Sequence, residues 1–368
     1  MKVLVTGADG FIGANLRVAL SERDGYEVLP VTRATSAAEL AQVAAQADMV
    51  VHLAGVNRPQ DLVEFTIGNA DFTAQLCGAL RASGRAVPVA FASSIQAGRD
   101  NPYGLSKRAA EEHLTAHAAG TGAPVAIYRL ANVFGKWCRP NYNSAVATFC
   151  HNIARDLPIR IDDAAAEVRL VYVDDMVAEL LRFLAAPPRG VVFADAGPVY
   201  TTTVGELARQ IEAFGNVRHS LVTERVGEGL VRALYATYIS HLPPEAFSYE
   251  VTQYRDARGV FVEMLKTKDS GQFSFFTAPP GVTRGGHYHH SKTEKFLVIK
   301  GRARFKFRQL LTNETYELVT QGEAPMVVET IPGWAHDITN IGEDEMVVML
   351  WANEIFDRAH PDTIASKV

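Results

Sequence analysis

Short apolar runs alternate with alanine-rich amphipathic segments over the first two-thirds of the chain. The apolar runs predict β-strands at residues 3–6, 27–32, 49–53, 87–92 and 125–130. The segments between them predict helices at residues 12–21, 37–45, 70–82 and 106–117. Continuous apolar strands separated by helices are typical of a parallel sheet that is covered on both faces. The pattern therefore predicts a doubly wound α/β domain of the Rossmann type.

The pattern changes near residue 245, where seven short β-rich runs follow one another without a long helix between them. They span residues 259–266, 272–277, 295–300, 303–310, 314–319, 326–331 and 345–352. Such runs, broken by Gly, Pro and Asn, are typical of an all-β sandwich or barrel. We therefore predict two domains, an α/β domain over residues 1–245 and an all-β domain over residues 246–368.

Composition narrows the class of protein. The chain has 368 residues, of which 48% are hydrophobic and 21% are charged, as in ordinary globular proteins. Its net charge of −5 and the lack of a basic block argue against a nucleic-acid partner. No apolar run approaches the roughly 18 residues that a membrane-spanning helix needs, and the N-terminus has no signal-peptide pattern. The three cysteines, Cys77, Cys138 and Cys150, show no CxxC pairing and favour a reducing, cytoplasmic compartment.

A glycine-rich turn follows the first predicted strand. Residues 6–13 place Gly7, Gly10 and Gly13 at the spacing of a dinucleotide-binding loop, directly before a helix. There Gly7 permits a tight turn, Gly10 lets the backbone approach a pyrophosphate, and Gly13 allows close helix packing. The alternative is a tight turn with no ligand. Arg33 ends the second strand where an acid would select NAD, so we expect NADPH, unless Arg33 is only a solvated loop residue.

Three further residues form a candidate catalytic group for proton transfer. Tyr103 and Lys107 lie four residues apart, on one face of a predicted helix, and Ser94 ends the preceding strand. An ammonium near a phenol lowers the phenol pKa, so Tyr103 could exchange a proton with a sugar oxygen that Ser94 also holds. The alternative is a surface Tyr–Lys pair without a catalytic role.

These residues resemble the extended short-chain dehydrogenase/reductase family over residues 1–240. The resemblance rests on residues 6–13, 52–55, 69–73, 129–135 and 172–175. It implies cofactor contacts from Gly7, Asp9, Gly10, Phe11, Ile12, Gly13, Arg33, Leu53, Ala54, Gly55 and Asn69. It also implies substrate contacts from Asn132 and Arg169. Only nine positions separate Ser94 from Tyr103, which is shorter than usual for this family and suggests a trimmed lid.

Histidines and one glutamate near the C-terminus form a candidate metal site. His287 and His289 would face the same side of a strand, Glu294 would return beside them across a turn, and His336 would complete the set. Imidazole and carboxylate ligands suit Zn, Mn, Fe or Ni, and we expect a divalent cation, with zinc favoured. The alternative is a group of exposed histidines in a charged turn, which is the expected role of His290.

This segment resembles the cupin family. Residues 281–301 match its first motif in full, and residues 333–340 match its second in part, because Ile331 stands where proline is usual. Residues 284–288 are also similar to metal-free deoxysugar 3,5-epimerases, in which the histidine is a base. The full set of four ligands favours a metal here.

The two halves together resemble bifunctional enzymes of capsular polysaccharide synthesis. The resemblance implies that the cupin domain epimerises C3 of a UDP-2-acetamido-2,6-dideoxy-4-hexulose. The reductase domain would then reduce the C4 ketone with NADPH. The product would be UDP-2-acetamido-2,6-dideoxy-L-talose, on the route to UDP-N-acetyl-L-fucosamine for capsule or O-antigen. Both families also imply a homodimer.

Several points stay open at this stage. The residues that could act as the epimerisation base are Tyr288, His290, Lys292 and Lys266. One alternative function is a single-activity NADPH-dependent UDP-4-keto-sugar reductase whose cupin holds a structural metal. The other is a non-enzymatic sensor, against which the set of Ser94, Tyr103 and Lys107 argues.

Overall fold

The computed structural model describes residues 1–256, 259–262, 265–267, 271–354 and 359–368. Two units can be distinguished: Met1–Ser144 with Val168–Thr201, and Ala145–Glu167 with Thr202–Val368. The second unit thus includes helical residues that precede position 245. The domain boundary expected there stays a prediction.

A six-stranded sheet forms the centre of the first unit. Its strands are β1 (Lys2–Thr6), β2 (Glu27–Val31), β3 (Met49–His52), β4 (Val89–Ser94), β5 (Val125–Leu130) and β8 (Val191–Phe193). They pair in the order β2-β1-β3-β4-β5-β8, and every pairing is parallel. The strands β1, β3 and β4 are almost wholly buried. The predicted parallel sheet is therefore confirmed, and its edge strand β8 was not predicted.

Helices connect these strands and continue into the second unit. They are α1 (Phe11–Ser21), α2 (Ala37–Gln46), α3 (Val63–Phe65), α4 (Phe72–Ala82), α5 (Pro102–Thr121), α6 (Ala145–Ile153), α7 (Val173–Ala185), α8 (Val204–Ser220) and α9 (Gly229–Ser240). A π-helical turn at Thr66–Asp71 joins α3 to α4, and 3-10 turns lie at Ile95–Gly98 and Pro244–Ala246. None of the helices in the described part of the chain combines the length and apolar composition that crossing a bilayer requires.

A small sheet carries the two predicted substrate-binding residues. It consists of β6 (Asn132–Phe134), β7 (Glu167–Tyr172) and β9 (Val199–Thr203), in the order β6-β7-β9. The strands β6 and β7 are parallel, with Asn132 opposite Leu170. Asn132 and Arg169 are therefore neighbours across this pair.

Two five-stranded sheets make up most of the second unit. One has the order β11-β20-β17-β22-β15 and the other β19-β18-β21-β16-β23. The strands of the first are β11 (Ser248–Glu250), β15 (Gln272–Ala278), β17 (Glu294–Lys300), β20 (Met326–Glu329) and β22 (Met346–Ala352). Those of the second are β16 (Thr283–Tyr288), β18 (Arg302–Gln309), β19 (Thr315–Gln321), β21 (Trp334–Asn340) and β23 (Ile364–Ala365). All pairings in these two sheets are antiparallel.

Two further short pairs complete the strands. They are β12 (Gln253–Asp256) with β13 (Gly259–Val262), which are antiparallel, and β10 (Val222–Thr223) with β14 (Lys266–Thr267), which are parallel. The run predicted at residues 259–266 is only partly described, because residues 263–264 lie outside the described residues. The antiparallel β architecture is confirmed, and its assignment as a cupin is taken up below.

A buried charged cluster joins helices and sheet inside the second unit. The carboxylate of Glu329 accepts hydrogen bonds from Lys295 and Arg218. The side chains of Lys295 and Glu329 are 2% and 4% exposed. Ionic hydrogen bonds satisfy groups that would otherwise be costly to bury. This cluster therefore fixes α8 against β17 and β20.

Candidate functional site

The glycine loop has the geometry that its spacing predicts. Gly7 lies directly after β1 with a φ of +64°, and a Cβ atom there would come within 2.8 Å of Ala54 N. A Cβ atom on Gly13 would lie 2.3 Å from Gly7 O. Both positions therefore exclude any other residue. Gly10 is the N-cap of α1, and no side chain among the described residues caps that helix terminus. Its N–H groups can therefore receive a phosphate.

A chain of hydrogen bonds through Thr6, His52 and Thr73 holds the glycine loop in place. The Thr6 hydroxyl accepts from Leu53 N and Ala54 N at 3.1 Å each, so its own proton goes to His52 Nδ1 at 2.6 Å. His52 Nε2 then donates to Thr73 Oγ1 at 2.8 Å. Burial lowers the pKa of His52 to about 3, so the ring is neutral and has this single tautomer. This chain of hydrogen bonds joins the glycine loop to the loop that carries Leu53, Ala54 and Gly55.

Asn69 holds the same loop from the other side. Its amide exchanges two hydrogen bonds with the backbone of Val56, at 2.9 and 3.0 Å, and donates to Ser106 Oγ at 2.9 Å. Asn69 lies in the π-helical turn that directs its side chain toward α5. These contacts give Asn69 a positioning role, and its contact with a cofactor stays a prediction.

The structure brings Ser94, Tyr103 and Lys107 together as the sequence predicts. Ser94 is the last residue of β4, and Tyr103 and Lys107 lie in the first turns of α5. Lys107 is 4% exposed, donates to Ala92 O at 2.7 Å and lies 4.5 Å above the Phe91 ring. Burial lowers the pKa of Lys107 to about 8, and the Glu111 carboxylate works against this shift.

The pKa of Tyr103 differs from the sequence expectation. Burial raises the pKa of the Tyr103 phenol, and a hydrogen bond with Ser94 acts in the opposite direction. The Lys107 ammonium, expected from the sequence to lower this pKa, donates instead to the Ala92 backbone oxygen at 2.7 Å. The phenol therefore stays protonated near neutral pH and can serve as an acid rather than as a base.

Glu111 is a member of this site that sequence reasoning missed. It lies one helical turn after Lys107 and is 4% exposed. Arg129 donates to both of its carboxylate oxygens, at 2.9 and 2.6 Å, and Ser93 donates a further hydrogen bond. The four-residue spacing from Lys107 is the sequence feature that could have identified it.

The remaining predicted cofactor residues lie around the loop. Phe11 and Ile12 begin α1, and Asp9 forms an exposed ion pair with Arg17 at 2.8 Å. Arg33 is exposed, two residues beyond the end of β2. This position leaves the guanidinium accessible to a ligand, and its selection of NADPH stays a prediction.

A cavity of about 300 Å³ lies next to the carboxyl end of β4. Arg169 and Arg129 contribute its positive charge, and Ile95, the residue after Ser94, forms part of its wall. Arg129 also stacks on the exposed Phe193 ring, 4.6 Å from its centroid. Asn132 donates to Arg169 O at 3.1 Å but does not line this cavity. Asp195 also lines the cavity and Arg129 is paired with Glu111, so Arg169 is the guanidinium that can meet an anionic ligand here.

The four predicted metal ligands converge in the second unit. One ligand atom from each of His287, His289, Glu294 and His336 lies within 4.8 Å of the others. His287 is the penultimate residue of β16, Glu294 begins β17, and His336 lies on β21. His289, Glu294 and His336 are buried. The predicted group is thus confirmed as a cluster, and the alternative of exposed histidines does not hold for it.

The donor chemistry of this cluster fits a divalent cation. His289 Nδ1 donates to the backbone oxygen of Asp362, and its Nε2 lies 3.1 Å from Glu294 Oε2. Neither ring nitrogen of buried His336 has a hydrogen-bond partner among the described residues, and its Nε2 lies 3.6 Å from Glu294 Oε2. Acceptors that face one another at such distances are stabilised by a cation between them.

The pKa shifts in the cluster also favour a bound cation. Burial and the neighbouring histidines lower the pKa of His287 to about 4. Burial also lowers the pKa of His336. Burial would raise the pKa of Glu294, but the two histidines beside it outweigh burial and hold it well below its usual value. Neutral imidazoles and an ionised carboxylate are the forms that bind metal.

The candidates for the epimerisation base differ in their surroundings. Lys292 Nζ lies 3.3 Å from Glu294 Oε1 and donates to Thr363 Oγ1 at 3.0 Å. His290 and Tyr288 pack ring against ring at 5.6 Å. The side chain of Lys266 lies outside the described residues. The base therefore stays unassigned.

Comparison with known proteins gives two family matches. Residues 3–194 match the NAD dependent epimerase/dehydratase family, and residues 254–364 match the polysaccharide biosynthesis C-terminal domain. The two matches fall on the parallel sheet and on the antiparallel β region.

Individual relatives extend over the whole chain. The UDP-2-acetamido-2,6-beta-L-arabino-hexul-4-ose reductase of Pseudomonas aeruginosa is 61% identical over 368 residues, covering 100% of this chain and 99% of the relative. The crystal structure of the capsular polysaccharide assembling protein CapF from Staphylococcus aureus covers 100% of both chains, at 40% identity and a TM-score of 0.69.

A more distant structure shares only the fold of the first part. The UDP-glucuronic acid 4-epimerase of Bacillus cereus, in complex with NAD, is 21% identical, with a TM-score of 0.52, and covers 59% of this chain and 84% of that one. The family match over residues 3–194 covers the glycine loop and the segment that contains Ser94, Tyr103 and Lys107. This chain belongs to the NAD dependent epimerase/dehydratase family.

Proposed function

We propose that this chain is an NADPH-dependent reductase of a UDP-linked 2-acetamido-2,6-dideoxy-4-hexulose. The observation that carries the proposal is the convergence of Ser94, Tyr103 and Lys107 beside a glycine loop built for a dinucleotide. The relative that is 61% identical is a reductase of a UDP-linked 4-hexulose, which supports the substrate class. The positively charged cavity that Arg169 lines supports an anionic, nucleotide-linked substrate.

The residues divide the work of ketone reduction between them. NADPH, when bound, supplies the hydride. Ser94 can donate a hydrogen bond to the C4 carbonyl oxygen, and the Tyr103 phenol can transfer its proton to that oxygen as negative charge develops. The raised pKa of Tyr103 keeps this proton available. Lys107 places a positive charge beneath the site, which favours formation of the phenolate after transfer.

The reductase is tested by oxidation of NADPH with a UDP-4-keto-6-deoxy-N-acetylhexosamine as substrate. We expect Tyr103→Phe to lose about 100-fold or more in kcat, because general acid catalysis is worth at least that factor. Leu105→Ala, on the exposed face of the same helix, is the matched control and should keep wild-type activity. Unchanged kcat in Tyr103→Phe would refute the proposal.

We also propose that the antiparallel β region is a cupin that epimerises C3 of the same substrate before reduction. The cluster of His287, His289, Glu294 and His336 supports this second activity. A divalent cation, zinc favoured, would supply a Lewis acid when bound there. The C3 proton is acidic only while C4 is a ketone, because its loss then gives an enolate. Reduction therefore makes the new configuration at C3 permanent, which is a chemical reason to join the two activities.

Solvent exchange in D2O without NADPH tests the epimerase. We expect the C3 proton signal of the substrate to disappear, at a rate abolished in His289→Ala and unchanged in Tyr103→Phe. If no exchange occurs while NADPH oxidation proceeds, the second candidate function holds. That function is a single-activity reductase in which the cluster of four ligands binds a structural metal.

The product, its pathway and the oligomeric state belong to the same proposal. The product would be UDP-2-acetamido-2,6-dideoxy-L-talose, used for UDP-N-acetyl-L-fucosamine in capsule or O-antigen synthesis. The matching polysaccharide biosynthesis domain and the CapF structure support a capsular role. We further propose a homodimer, for which light scattering of the purified protein is the test.

A further inference from the structure

The C-terminal segment, residues 359–368, returns to the loop between two of the proposed metal ligands. The Asp362 carboxylate accepts a hydrogen bond from His290 N at 2.8 Å through one oxygen. Its other oxygen accepts from Ser291 N and Lys292 N at 2.7 Å each, and from Ser291 Oγ at 3.2 Å. One side chain thus satisfies three consecutive backbone donors of the loop between His289 and Glu294.

The backbone of the same residue fixes the orientation of a ligand. Asp362 O accepts a hydrogen bond from His289 Nδ1. Because a carbonyl oxygen can only accept, Nδ1 carries a proton, which leaves Nε2 as the ring nitrogen that can coordinate a cation. Nε2 lies 3.1 Å from Glu294 Oε2, so it faces the other ligands.

Two further residues of the segment, Thr363 and Ala365, contact the other ligands or their neighbours. Thr363 Oγ1 accepts from Lys292 Nζ, and this ammonium lies 3.3 Å from Glu294 Oε1, which restrains that carboxylate. Ala365, on β23, pairs with His287 on β16. Three of the four ligands are therefore contacted, directly or through Lys292, by three residues of the short segment 362–365.

We propose that Asp362 is a positioning residue that preorganises the metal-binding cluster by holding the 290–292 loop and the ring of His289. The inference rests on the proposed cation site. Asp362 lies 72 positions after His290 and outside residues 281–301 and 333–340, from which that site was predicted. Partners that orient metal ligands change metal affinity by about 10- to 100-fold when they are removed. Charge-assisted hydrogen bonds to a carboxylate are about twice as strong as neutral ones, so the Asp362 carboxylate restrains the 290–292 loop firmly.

Asp362→Asn tests the proposal with zinc affinity as the readout. The substitution preserves shape but puts an amide N–H₂ group against backbone N–H donors. We expect the zinc dissociation constant, measured by competition with a chromophoric chelator, to rise about 10- to 100-fold. NADPH oxidation with a substrate already epimerised at C3 should stay at the wild-type rate, because the proposed reductase residues lie in the first unit.

Ser366→Ala is the matched control in the same segment. Its hydroxyl accepts from Arg308 at 3.0 Å and does not touch the loop. We expect wild-type zinc affinity in this variant. Equal affinity in Asp362→Asn and the wild type would overturn the role of Asp362 while leaving the cation site intact. A wild-type protein that binds no zinc would overturn both.

The tautomer of His289 gives a second test that needs no variant. Nitrogen-15 NMR of the wild-type protein, labelled at histidine, distinguishes a protonated Nδ1 from a protonated Nε2. The proposal requires a proton on His289 Nδ1, with Nε2 bound to zinc once zinc is added. A His289 ring with Nδ1 unprotonated would overturn the proposal even if Asp362→Asn did not fold.

Discussion

The buried position of Lys107 predicts an alkaline limit to the reduction. Its ammonium has Ala92 O and the Phe91 ring as neighbours, and burial lowers its pKa from 10.5 to about 8. This shift corresponds to about 3 kcal/mol against the charged form. Lys107 is then about nine-tenths charged at pH 7, about half charged at pH 8 and about one-tenth charged at pH 9.

The sign of the pH dependence follows from the role of the charge. The proposed mechanism needs the ammonium, so the rate should fall as pH rises through about 8. Tyr103 does not set this limit, because burial raises its pKa and the phenol stays protonated over the same range. The quantity to measure is kcat/KM for NADPH, since it reports the ionisation of the enzyme without cofactor.

Two variants separate the effect of the Glu111 charge on Lys107 from the effect of losing a hydrogen bond to Glu111. Glu111 raises the pKa of Lys107, so Glu111→Gln should move the alkaline limb to lower pH. Ser93→Ala removes a hydrogen bond to the same carboxylate without changing its charge, and its limb should stay in place. A limb near the ordinary lysine value of 10.5, or equal limbs in Glu111→Gln and Ser93→Ala, would refute the reasoning.

Three further predictions concern stability and cofactor binding. Glu329→Gln should cost about 3–5 kcal/mol in chemical unfolding, because it leaves the buried Lys295 and the partly buried Arg218 without a carboxylate, whereas Asp162→Asn in an exposed pair should cost nothing measurable. A loss below about 1 kcal/mol would contradict this account of the cluster. Gly13→Ala should weaken NADPH binding about tenfold or more in a fluorescence titration, because its Cβ would lie 2.3 Å from a carbonyl oxygen of the loop. Gly78→Ala, where a Cβ meets nothing within 4 Å, should bind normally, and equal affinities would be evidence against the steric argument. Arg33→Ala should lower kcat/KM for NADPH about tenfold while leaving NADH unchanged, and a parallel loss with both cofactors would exclude selection by charge.

The sequence could predict the central strands because nearly all of their residues are apolar. The strands β1, β3 and β4 are continuous apolar runs, and such runs have one stable place, the middle of a covered parallel sheet. Three of the four metal ligands, His287, His289 and Glu294, could be predicted because the short turn between β16 and β17 sets their spacing.

The strand that carries His336 was not predicted. Every residue of β21 except Asp337 is buried, including Thr339 and Asn340, so the strand lacks the alternation that identifies a half-exposed strand. Asn340 is accommodated because its amide donates to Ala278 O and Asp344 O, at 2.9 Å each. Such tertiary hydrogen bonds leave no local pattern in the sequence.

Ion pairs between residues far apart in the chain also could not be predicted from the sequence. Lys295 and Glu329 lie in strands that read locally as half-exposed, yet both are buried, and Arg218 comes from a helix more than 100 residues away. Asp362 is likewise distant from the loop that it holds. Helical spacing could have suggested Glu111, but its two-pronged contact with Arg129 depends on the neighbouring strand β5.

The central claim is that one chain epimerises C3 and then reduces C4 of a UDP-linked 4-keto sugar. The most direct measurement is a complete reaction with unlabelled NADPH in D2O, followed by NMR and mass analysis of the reduced product. The account predicts deuterium at C3, taken from solvent during epimerisation, and hydrogen at C4, taken from NADPH. A reduced product that keeps its original hydrogen at C3 would contradict it and leave a reductase with a structural metal site.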